Sequence, residues 1–278
     1  MVKKLLLKKL LLKKQIIIPF FSIYHYSTLL KGFVVKDIKG RFAGTFAGLL
    51  WTLLAPLSRI LAYFFVFSLV LRVTVTIEET GTDKFVIFFL CGFFPWTILA
   101  ESLGKAVRIL IAESGIITKV VFPVELLPVS VVISNFLING IGFGLFLVYL
   151  GFSGYFNPTW FLIPLFLIFE LLFILGLAFF LSAMCVFVRD LGELFNIAIM
   201  LWFFGTPVIY PASRVPESMA FIFNLNPMVY VMDVFRDSIL MGRVEMDSLI
   251  TLAVLSIISY CIGAWFFIRS KAAFGDVL

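Results

Sequence analysis

The chain alternates between long uncharged apolar stretches and short polar segments. A membrane-crossing helix needs roughly 20 predominantly apolar residues, and six stretches approach that length. The longest, 44 uncharged residues between Glu125 and Glu170, is divided by the sequence GFSGYFNP at residues 151–158, which is typical of a turn. We therefore predict an all-α integral membrane protein with six transmembrane helices, at about 49–71, 85–108, 126–150, 160–186, 194–210 and 248–268.

Residues 211–240 are apolar but do not fit a further span. Only 15 uncharged residues, from Ser218 to Met232, separate Glu217 from Asp233, and prolines break the segment into short pieces. Short helices that do not span the membrane are tolerated at membrane depth where they line or cover a cavity. We predict re-entrant helices here, between the fifth and sixth spans.

An amphipathic pattern precedes the first span. Apolar residues recur every four positions with charged residues between them, at Leu30, Val34, Ile38, Phe42 and Phe46. This pattern predicts a helix at about 28–47 that lies in the membrane interface, and a simple juxtamembrane anchor is the alternative. Residues 1–27 form a basic N-terminal arm with a KKLLL repeat. Contact with anionic headgroups and a disordered tail are both open for this arm, and residues 28–278 form a single transmembrane domain.

Composition and charge agree with this architecture. Charged residues make up 14% of the chain, against about 25% in soluble proteins. The six-span arrangement places sixteen basic residues on the side of the termini and five on the other side. Because basic residues concentrate in the cytoplasm, we predict a multi-pass protein of the cell inner membrane with both termini cytoplasmic. The net charge of +6 then reflects orientation and contact with membrane lipids, and we expect no nucleic-acid partner.

No arrangement of residues in the sequence points to catalysis. His25 is the single histidine, the three cysteines have no CxxC spacing, and no GxxxxGK[ST] phosphate loop is present. We predict no catalytic residue, no metal and no cofactor in this chain. Without a phosphate loop the chain cannot hydrolyse ATP by that route, so the energy for any transport would come from an ion gradient or from a partner.

Two charged residues lie within predicted spans, Arg59 in the first and Glu170 in the fourth. A charge at the bilayer centre costs roughly 2.5–3.5 kcal/mol, so each is a candidate functional residue. Three interpretations stay open. The two residues pair with each other, Arg59 faces a polar path or an anionic substrate, or both side chains reach an interface.

Several motifs occur in an order that resembles a known family. They are KDIKGRFAGTFAGLLWTLLAP around the start of the first span, SGIITKVVFPVELLP after the second, FVRDLGEL after the fourth, and then TPVIYP, NLNP and DVFRDSIL. Together they look like the membrane (permease) subunit of a type 2 bacterial ABC transporter that exports polysaccharide, as in the Wzm, KpsM and TagG group. The resemblance covers about residues 31–268.

The resemblance implies export of lipid-linked polysaccharide, most typically O-antigen, from the cytoplasm across the inner membrane. It also implies a homodimer of this chain together with two copies of a P-loop ATPase that binds ATP and Mg²⁺. Export of teichoic acid or capsule is an alternative within the family. A drug or small-lipid exporter of the same fold, a membrane glycan enzyme and an ion channel are further alternatives.

The resemblance further implies roles for particular residues. A coupling helix at about 115–122 would receive the motion of the ATPase through Gly115, Ile116, Ile117, Thr118, Lys119 and Phe122. The interfacial helix would control access of the substrate through Lys36, Lys39 and Arg41; Arg59, which matches no family motif, joins them because of its charge. The aromatic residues that would line a channel are Tyr63, Phe67, Trp202 and Phe203. The segment at about 211–240 would form an outer gate with Tyr210, Pro211, Pro216, Asn226 and Pro227.

Overall fold

The computed structural model describes residues 24–42, 44–46, 48–73 and 75–278, so most of the predicted basic arm lies outside the described residues. Within these ranges the chain is helical and contains no strand. The helices are α1 (Ser27–Phe42), α2 (Trp51–Phe64), α3 (Ile77–Thr80), α4 (Phe85–Ala106), α5 (Ile109–Ala112), α6 (Ser114–Ile117), α7 (Leu126–Phe152), α8 (Ile163–Phe187), α9 (Leu191–Phe204), α10 (Ala220–Asn224), α11 (Pro227–Arg236), α12 (Met246–Ser270) and α13 (Phe274–Val277). Two π-helical segments, Phe65–Val70 and Asp237–Met241, continue α2 and α11.

Four helical segments in the described part of the chain are long and apolar enough to cross a membrane. They are Phe85–Ala106, Leu126–Phe152, Pro158–Phe187 and Met246–Val277. The helices Leu54–Val70 and Leu191–Phe204 are apolar but shorter. The prediction of an all-helical chain with several membrane-crossing helices is confirmed, and four of the six predicted spans have the length that a crossing requires.

Two helices end before the boundaries predicted from the sequence. The predicted fifth span continues to residue 210, but α9 ends at Phe204, with Gly205 as its C-cap. The predicted interfacial helix also stops short, at Phe42. Beyond it, Gly44 and Gly48 have φ angles of 75° and 49°, which lie in the left-handed region that glycine adopts most readily.

Helices α8 and α12 form a close contact and run in the same direction. Phe180 packs on Phe266 with 4.9 Å between ring centroids. About one turn earlier on both helices, Gly176 faces Gly263. A Cβ atom added at Gly263 would lie 1.9 Å from the carbonyl oxygen of Gly176. Only glycine fits this contact, and small residues that let backbones approach are a common basis of helix association in membranes.

Helix α4 lies at the centre of the bundle. Most of its residues are buried, and it contacts α7, α8 and α11. The bundle has two ends with different character. The basic end carries α1, α5, α6 and Lys271; there Lys36 of α1 pairs with Glu113, and Lys271 pairs with Glu125. The opposite end carries α3, α10 and α11.

Candidate functional site

A polar cleft opens at the basic end, between α1, the junction of α4 with α5, and α7. Its volume is about 310 Å³. Apolar walls come from residues such as Phe33, Ile109 and Leu127. The charged residues that line it are Lys36, Asp37, Arg41, Lys105 and Glu113. We name it the access cleft.

Asp37 is the hydrogen-bonding centre of the access cleft. Its carboxylate accepts hydrogen bonds from Lys105 and, at 2.6 Å, from Ser134, and Arg41 lies 3.4 Å away one turn further along α1. Burial opposes ionisation, but these hydrogen bonds and the charges of Lys105 and Arg41 outweigh it and lower the pKa of Asp37 below its ordinary value. Asp37 is therefore a fixed negative charge among cations at neutral pH.

A second group of polar contacts continues from the access cleft into the bundle. Arg41 donates a hydrogen bond of 2.7 Å to Asn135. Glu101 accepts hydrogen bonds from Arg59 at 2.8 Å and from Asn139 at 2.9 Å. A guanidinium nitrogen of Arg41 also lies 4.0 Å from Glu101. One carboxylate on α4 thus joins side chains from α1, α2 and α7.

Of the three interpretations left open, the pairing of Arg59 with Glu170 is wrong. Arg59 on α2 pairs with Glu101 on α4, because α2 packs beside α4 and α7 while Glu170 lies on α8. Glu170 is fully buried, and neither of its carboxyl oxygens makes a hydrogen bond within the described chain. It takes no part in the access cleft.

The polar face of α7 was not anticipated from the sequence. Ser130, Ser134, Asn135 and Asn139 are all buried, and the last three bond the charged side chains of the two groups above. At 3.6 residues per turn, Ser134, Asn135 and Asn139 fall within about 140° of one another, on one side of the helix. That spacing in an otherwise apolar stretch was the available signal, because polar residues within a span mark interhelical contacts or functional sites.

The structure brings three of the four predicted access residues into these contacts. Arg41 and Arg59 contact Glu101, and Lys36 donates to both carboxylate oxygens of Glu113, at 2.8 and 3.0 Å. Lys39 is exposed and forms no ion pair with the residues that the structure describes. The access cleft therefore depends on Lys36 and Arg41, together with Lys105, which the sequence did not single out.

Helix α1 packs on the bundle through both apolar and charged side chains. Leu30 and Val34 are buried, and the helix lies along α7. Phe46, the last residue of the predicted apolar ladder, is fully exposed and lies beyond the helix end. Asp37 and Arg41 turn inward because α4 and α7 supply their partners. Helix α1 thus directs charged as well as apolar side chains toward the bundle.

The predicted coupling helix is shorter than expected. Helix α6 covers Ser114–Ile117, whereas the sequence predicts helix to about residue 122. The next residues include Val120 and Val121, whose β-branched side chains lower helix propensity. Pro123 then disfavours helical backbone in the residue before it. Residues 118–125 form turns and bends that lead into α7.

The predicted coupling residues lie at the basic end and differ in exposure. The exposed ones are Gly115, Thr118 and Lys119, and the half-buried ones are Ile116, Ile117 and Phe122. Phe122 packs on Phe33 of α1 with 5.7 Å between ring centroids. The segment thus offers an exposed surface and also touches the helix that bounds the access cleft.

The predicted channel residues pack on α4. Tyr63 stacks on Phe67 with 6.1 Å between ring centroids, and both rings contact Phe89. On the same helical run, Phe64 and Phe65 are more exposed. A role for Tyr63 and Phe67 in lining a channel stays a prediction.

The two aromatic residues predicted on α9 also pack on α4. Trp202 and Phe203 contact Trp96, with ring centroids 5.9 and 5.4 Å apart. Trp202 in addition donates its indole N–H to Asn226, at 2.8 Å. This bond connects α9 to the predicted outer gate.

Asn226 organises the start of α11. Its side-chain oxygen accepts from Trp202 and caps the helix by accepting from the backbone N–H of Met228 at 3.0 Å. Its amide nitrogen donates to the backbone oxygen of Gly205 and the hydroxyl of Thr206, at 3.0 and 2.9 Å. All four of the hydrogen bonds that an asparagine side chain offers are made.

The other predicted gate residues lie on either side of Asn226 in the sequence. Tyr210 donates to the backbone oxygen of Phe204 at 2.8 Å. Pro211 is buried, Pro216 is exposed, and Pro227 is the first residue of α11. The first position of a helix favours proline, since the backbone N–H there has no partner within the helix.

Arg236 fixes the other end of α11. It is buried and donates to the backbone oxygens of Pro207 and Val208, at 2.5 and 2.8 Å. Its guanidinium lies over the ring of Phe88, 3.7 Å from the ring centroid. Gly92 makes room for it, since a Cβ there would lie 2.8 Å from the guanidinium. Arg236 therefore holds together α4, α11 and the TPVIYP segment.

Comparison with known proteins decides the family. A family model described as ABC-2 type transporter matches residues 28–240, which is more than half of the chain. The chain belongs to the ABC-2 type transporter family. Within this ABC-2 chain the match includes α1, the access cleft, and the segment that contains α10 and α11.

Individual relatives extend the match to nearly the full length of the ABC-2 chain. The O-antigen export system permease protein RfbA of Myxococcus xanthus is 33% identical over 242 residues, 85% of this chain and 90% of that protein. A protein of the same name from Klebsiella pneumoniae is 29% identical over 265 residues, 93% of this chain and 98% of that protein. The ABC-2 chain is thus a multi-pass membrane transport subunit.

Proposed function

We propose that this chain is the membrane subunit of an ATP-driven exporter that moves lipid-linked O-antigen polysaccharide out of the cytoplasm. The observation that carries the proposal is that relatives named as O-antigen export permeases match 85% and 93% of the chain. Such an exporter must take an anionic lipid-linked glycan from the membrane and pass a polar polymer across it. The access cleft and the polar face of α7 support the first of these steps.

The access cleft suits the phosphate of a lipid anchor. Lys36, Arg41 and Lys105 lie in one cleft whose walls also include Phe33 and Leu127. Lysine and arginine bind phosphate through charge-assisted hydrogen bonds, and apolar walls accommodate a hydrocarbon chain. On this proposal the phosphate binds between α1 and α7 while the lipid tail stays in the bilayer. Arg59 lies behind the cleft. It pairs with Glu101, which also lies 4.0 Å from Arg41 of the cleft.

The proposed topology has six spans, with α2 and α9 completing the set. The 14 residues of α2 and the 6 of its π-helical extension span about 30 Å at 1.5 Å per residue, which is the thickness of the hydrocarbon core. The basic end faces the cytoplasm, as do both termini, in the cell inner membrane. The segment with α10 and α11 then faces outward and closes the outer mouth as a re-entrant gate.

The working exporter is proposed to contain two copies of this chain and two copies of a P-loop ATPase. The ATPase binds ATP and Mg²⁺, and it docks on the exposed coupling segment, where Lys119 and Val121 project from the bundle. Helices α2 and α9 both expose large apolar side chains, for example Leu61 and Leu201. A second copy of the chain would cover part of these faces and enclose the channel.

Copurification tests the proposal. A tagged chain extracted from its native membrane is expected to bring down a P-loop ATPase, and Lys119→Glu is expected to weaken that association. Lys84→Glu is the matched control, because Lys84 is equally an exposed lysine but lies at the opposite end. A chain that purifies without an ATPase would contradict the proposal, as would an equal effect of the two substitutions.

A further inference from the structure

A second polar cavity lies at the opposite end of the bundle from the access cleft. It is bounded by α3, the residues that follow the TPVIYP segment, and the last turn of α11 with its π-helical extension. Its volume is about 120 Å³, enough to admit several water molecules or one edge of a sugar ring. We name it the outer pocket. Its polar side chains include Glu79, Ser213, Asp233, Arg236 and Asp237.

Two polar groups of the outer pocket are left without partners. The side chain of Asp233 is half-buried, yet it accepts no hydrogen bond from any residue that the structure describes. Arg236 is only 7% exposed, and its Nε–H has no hydrogen-bond partner within the same part of the chain. Buried polar groups almost always have a partner. An acceptor and a donor left over beside one cavity therefore indicate that a ligand or water supplies the missing bonds.

The other two carboxylates of the outer pocket are partly engaged. Glu79 accepts a hydrogen bond from Ser213, which joins α3 to the residues after the TPVIYP segment and closes one side of the cavity. Asp237 accepts from Arg243 through Oδ2 at 3.1 Å, so its Oδ1 stays available. Asp233 and Asp237 are four positions apart on one helical run. Their free oxygens can therefore serve the same ligand.

The chemistry of the outer pocket selects the kind of ligand. An anion is disfavoured, because three carboxylates line the cavity against one buried arginine. A metal ion is disfavoured as well, because in the described ranges no three acidic, histidine or cysteine side chains converge closely enough to hold one. A hydroxyl group both donates and accepts. Neighbouring hydroxyls can donate to Asp233 and Asp237 and also accept from an N–H group, which is the chemistry of a neutral sugar.

We propose that the outer pocket binds a neutral sugar residue of the exported glycan, with Asp233 and Asp237 accepting hydrogen bonds from its hydroxyls. This inference rests on the proposed function and adds a glycan-binding site on the outward side, separate from the access cleft. The pocket borders α11 of the proposed outer gate, where the polymer leaves the protein. The binding is expected to be weak, since a path conducts only where each site releases its ligand again.

The effect of Asp233 on stability supports a role in binding. A half-buried carboxylate without a partner costs free energy, and an uncharged side chain would avoid that cost. Departures from the rules of stable folding are expected mainly at functional sites. Removal of this charge should therefore stabilise the fold and weaken sugar binding. A purely structural residue would not show these two opposite effects.

Polysaccharide binding to the purified exporter complex in lipid nanodiscs tests the inference. One probe is O-polysaccharide released by mild acid from the lipopolysaccharide of the same cells. The other is a set of soluble peptidoglycan fragments, which offer sugar hydroxyls from a different source and carry carboxylates that the pocket disfavours. Saturation-transfer NMR at pH 8 measures the affinity of each probe. The wild type is expected to bind the O-polysaccharide more tightly than the fragments.

The variants address the pocket itself. Asp233→Asn is expected to weaken O-polysaccharide binding about tenfold, the effect of losing charge-assisted hydrogen bonds, without lowering the melting temperature. Ala212→Phe is the second variant, because Ala212 is an exposed residue that lines the pocket and a larger side chain there narrows it without changing any charge. Asp247→Asn is the matched control, since Asp247 is an exposed acid that does not line the pocket. Its binding should be unchanged.

Three outcomes would overturn the inference. Equal affinity of the wild type, Asp233→Asn and Ala212→Phe would show that the sugar binds elsewhere. A wild type that binds no O-polysaccharide would show that water alone fills the outer pocket, and tighter binding of peptidoglycan fragments would reject the exported glycan as the ligand.

None of these results touches the proposed function if cells depleted of the chain still lose their surface O-antigen. Unchanged surface O-antigen after depletion would reject the proposed function itself, whatever the outer pocket binds.

Discussion

Trp202 donates its indole N–H to the side-chain oxygen of Asn226 across 2.8 Å. Trp202 belongs to α9, which we propose as the fifth span, and Asn226 caps the helix α11 of the proposed outer gate. The same asparagine also holds Gly205 and Thr206, where α9 ends. One side chain is therefore bonded both to the end of α9 and to the start of α11.

Replacing Asn226 is expected to loosen this junction. Asn226→Ala removes four hydrogen bonds and the N-cap of α11, and we expect a loss of about 2 kcal/mol in stability. A lower melting temperature in detergent is the measurement. Asn196→Ala is the control, since Asn196 is exposed and makes one hydrogen bond of 3.3 Å within its own helix. Equal melting temperatures for the two variants would contradict the assigned role.

Alanine in place of either glycine between α8 and α12 is expected to destabilise the bundle. A Cβ at Gly176 would lie 2.3 Å from the backbone of Ser259, so Gly176→Ala should cost about 1–3 kcal/mol, as overpacking usually does. At Gly140 on α7 nothing lies within 4 Å of an added Cβ. Gly140→Ala should therefore be neutral or stabilising by up to about 1 kcal/mol. Thermal unfolding of the purified variants decides between these results.

The ion pair between Arg59 and Glu101 is expected to matter for both stability and transport. Arg59→Leu leaves Glu101 without its closest cation, so both the melting temperature and the export rate should fall. The double variant Arg59→Leu/Glu101→Leu should lose less than the sum of the single variants, by about 1 kcal/mol, because the pair is partly exposed. Arg214→Leu, at an exposed arginine outside the ion pairs described above, should be silent. A silent Arg59→Leu would remove Arg59 from the functional residues.

Asp233 is expected to make stability depend on pH. Burial raises the pKa of Asp233 to about 6, and Asp237 and Glu245 add to this while Arg236 opposes it. Since the folded-state pKa lies above the unfolded value of 3.8, the stabilisation is complete below about pH 4 and is lost as pH rises through about 6. Asp233→Asn cannot ionise, so its melting temperature should exceed that of the wild type above pH 6.

The difference between Asp233→Asn and the wild type should shrink as the pH falls toward 4. Asp247→Asn is the control, since Asp247 is an exposed acid at the start of α12 and should show little difference at any pH. A wild type that is more stable than Asp233→Asn at pH 8 would contradict the assigned environment of Asp233.

The sequence predicts the long helices well because their length and lack of charge are local properties. The third span was predicted at 126–150 and α7 covers Leu126–Phe152; the sixth was predicted at 248–268 and α12 covers Met246–Ser270. The fifth span was predicted too long, since hydrophobicity continues past Gly205 although the helix does not. The apolar pattern reports the environment of a residue, not its backbone conformation.

The contacts of the candidate site were less predictable because they depend on how helices pack. Arg59 and Glu170 were both visible as charges within spans, but no local signal indicates that Arg59 meets Glu101. Lys36 and Arg41 were selected for their charge, and the carboxylates that neutralise them come from α1 itself and from residues 60 to 77 positions away. Sequence reasoning finds such charged residues more readily than it finds their partners.

The most direct test of the account is the fate of the glycan in cells depleted of this chain. Surface O-antigen and its lipid-linked precursor are measured in the same cells, with the intact chain supplied again as a control. The account predicts that O-antigen disappears from the surface while the lipid-linked precursor accumulates on the cytoplasmic side, and that the supplied chain reverses both changes. Unchanged surface O-antigen without accumulation of the precursor would contradict it.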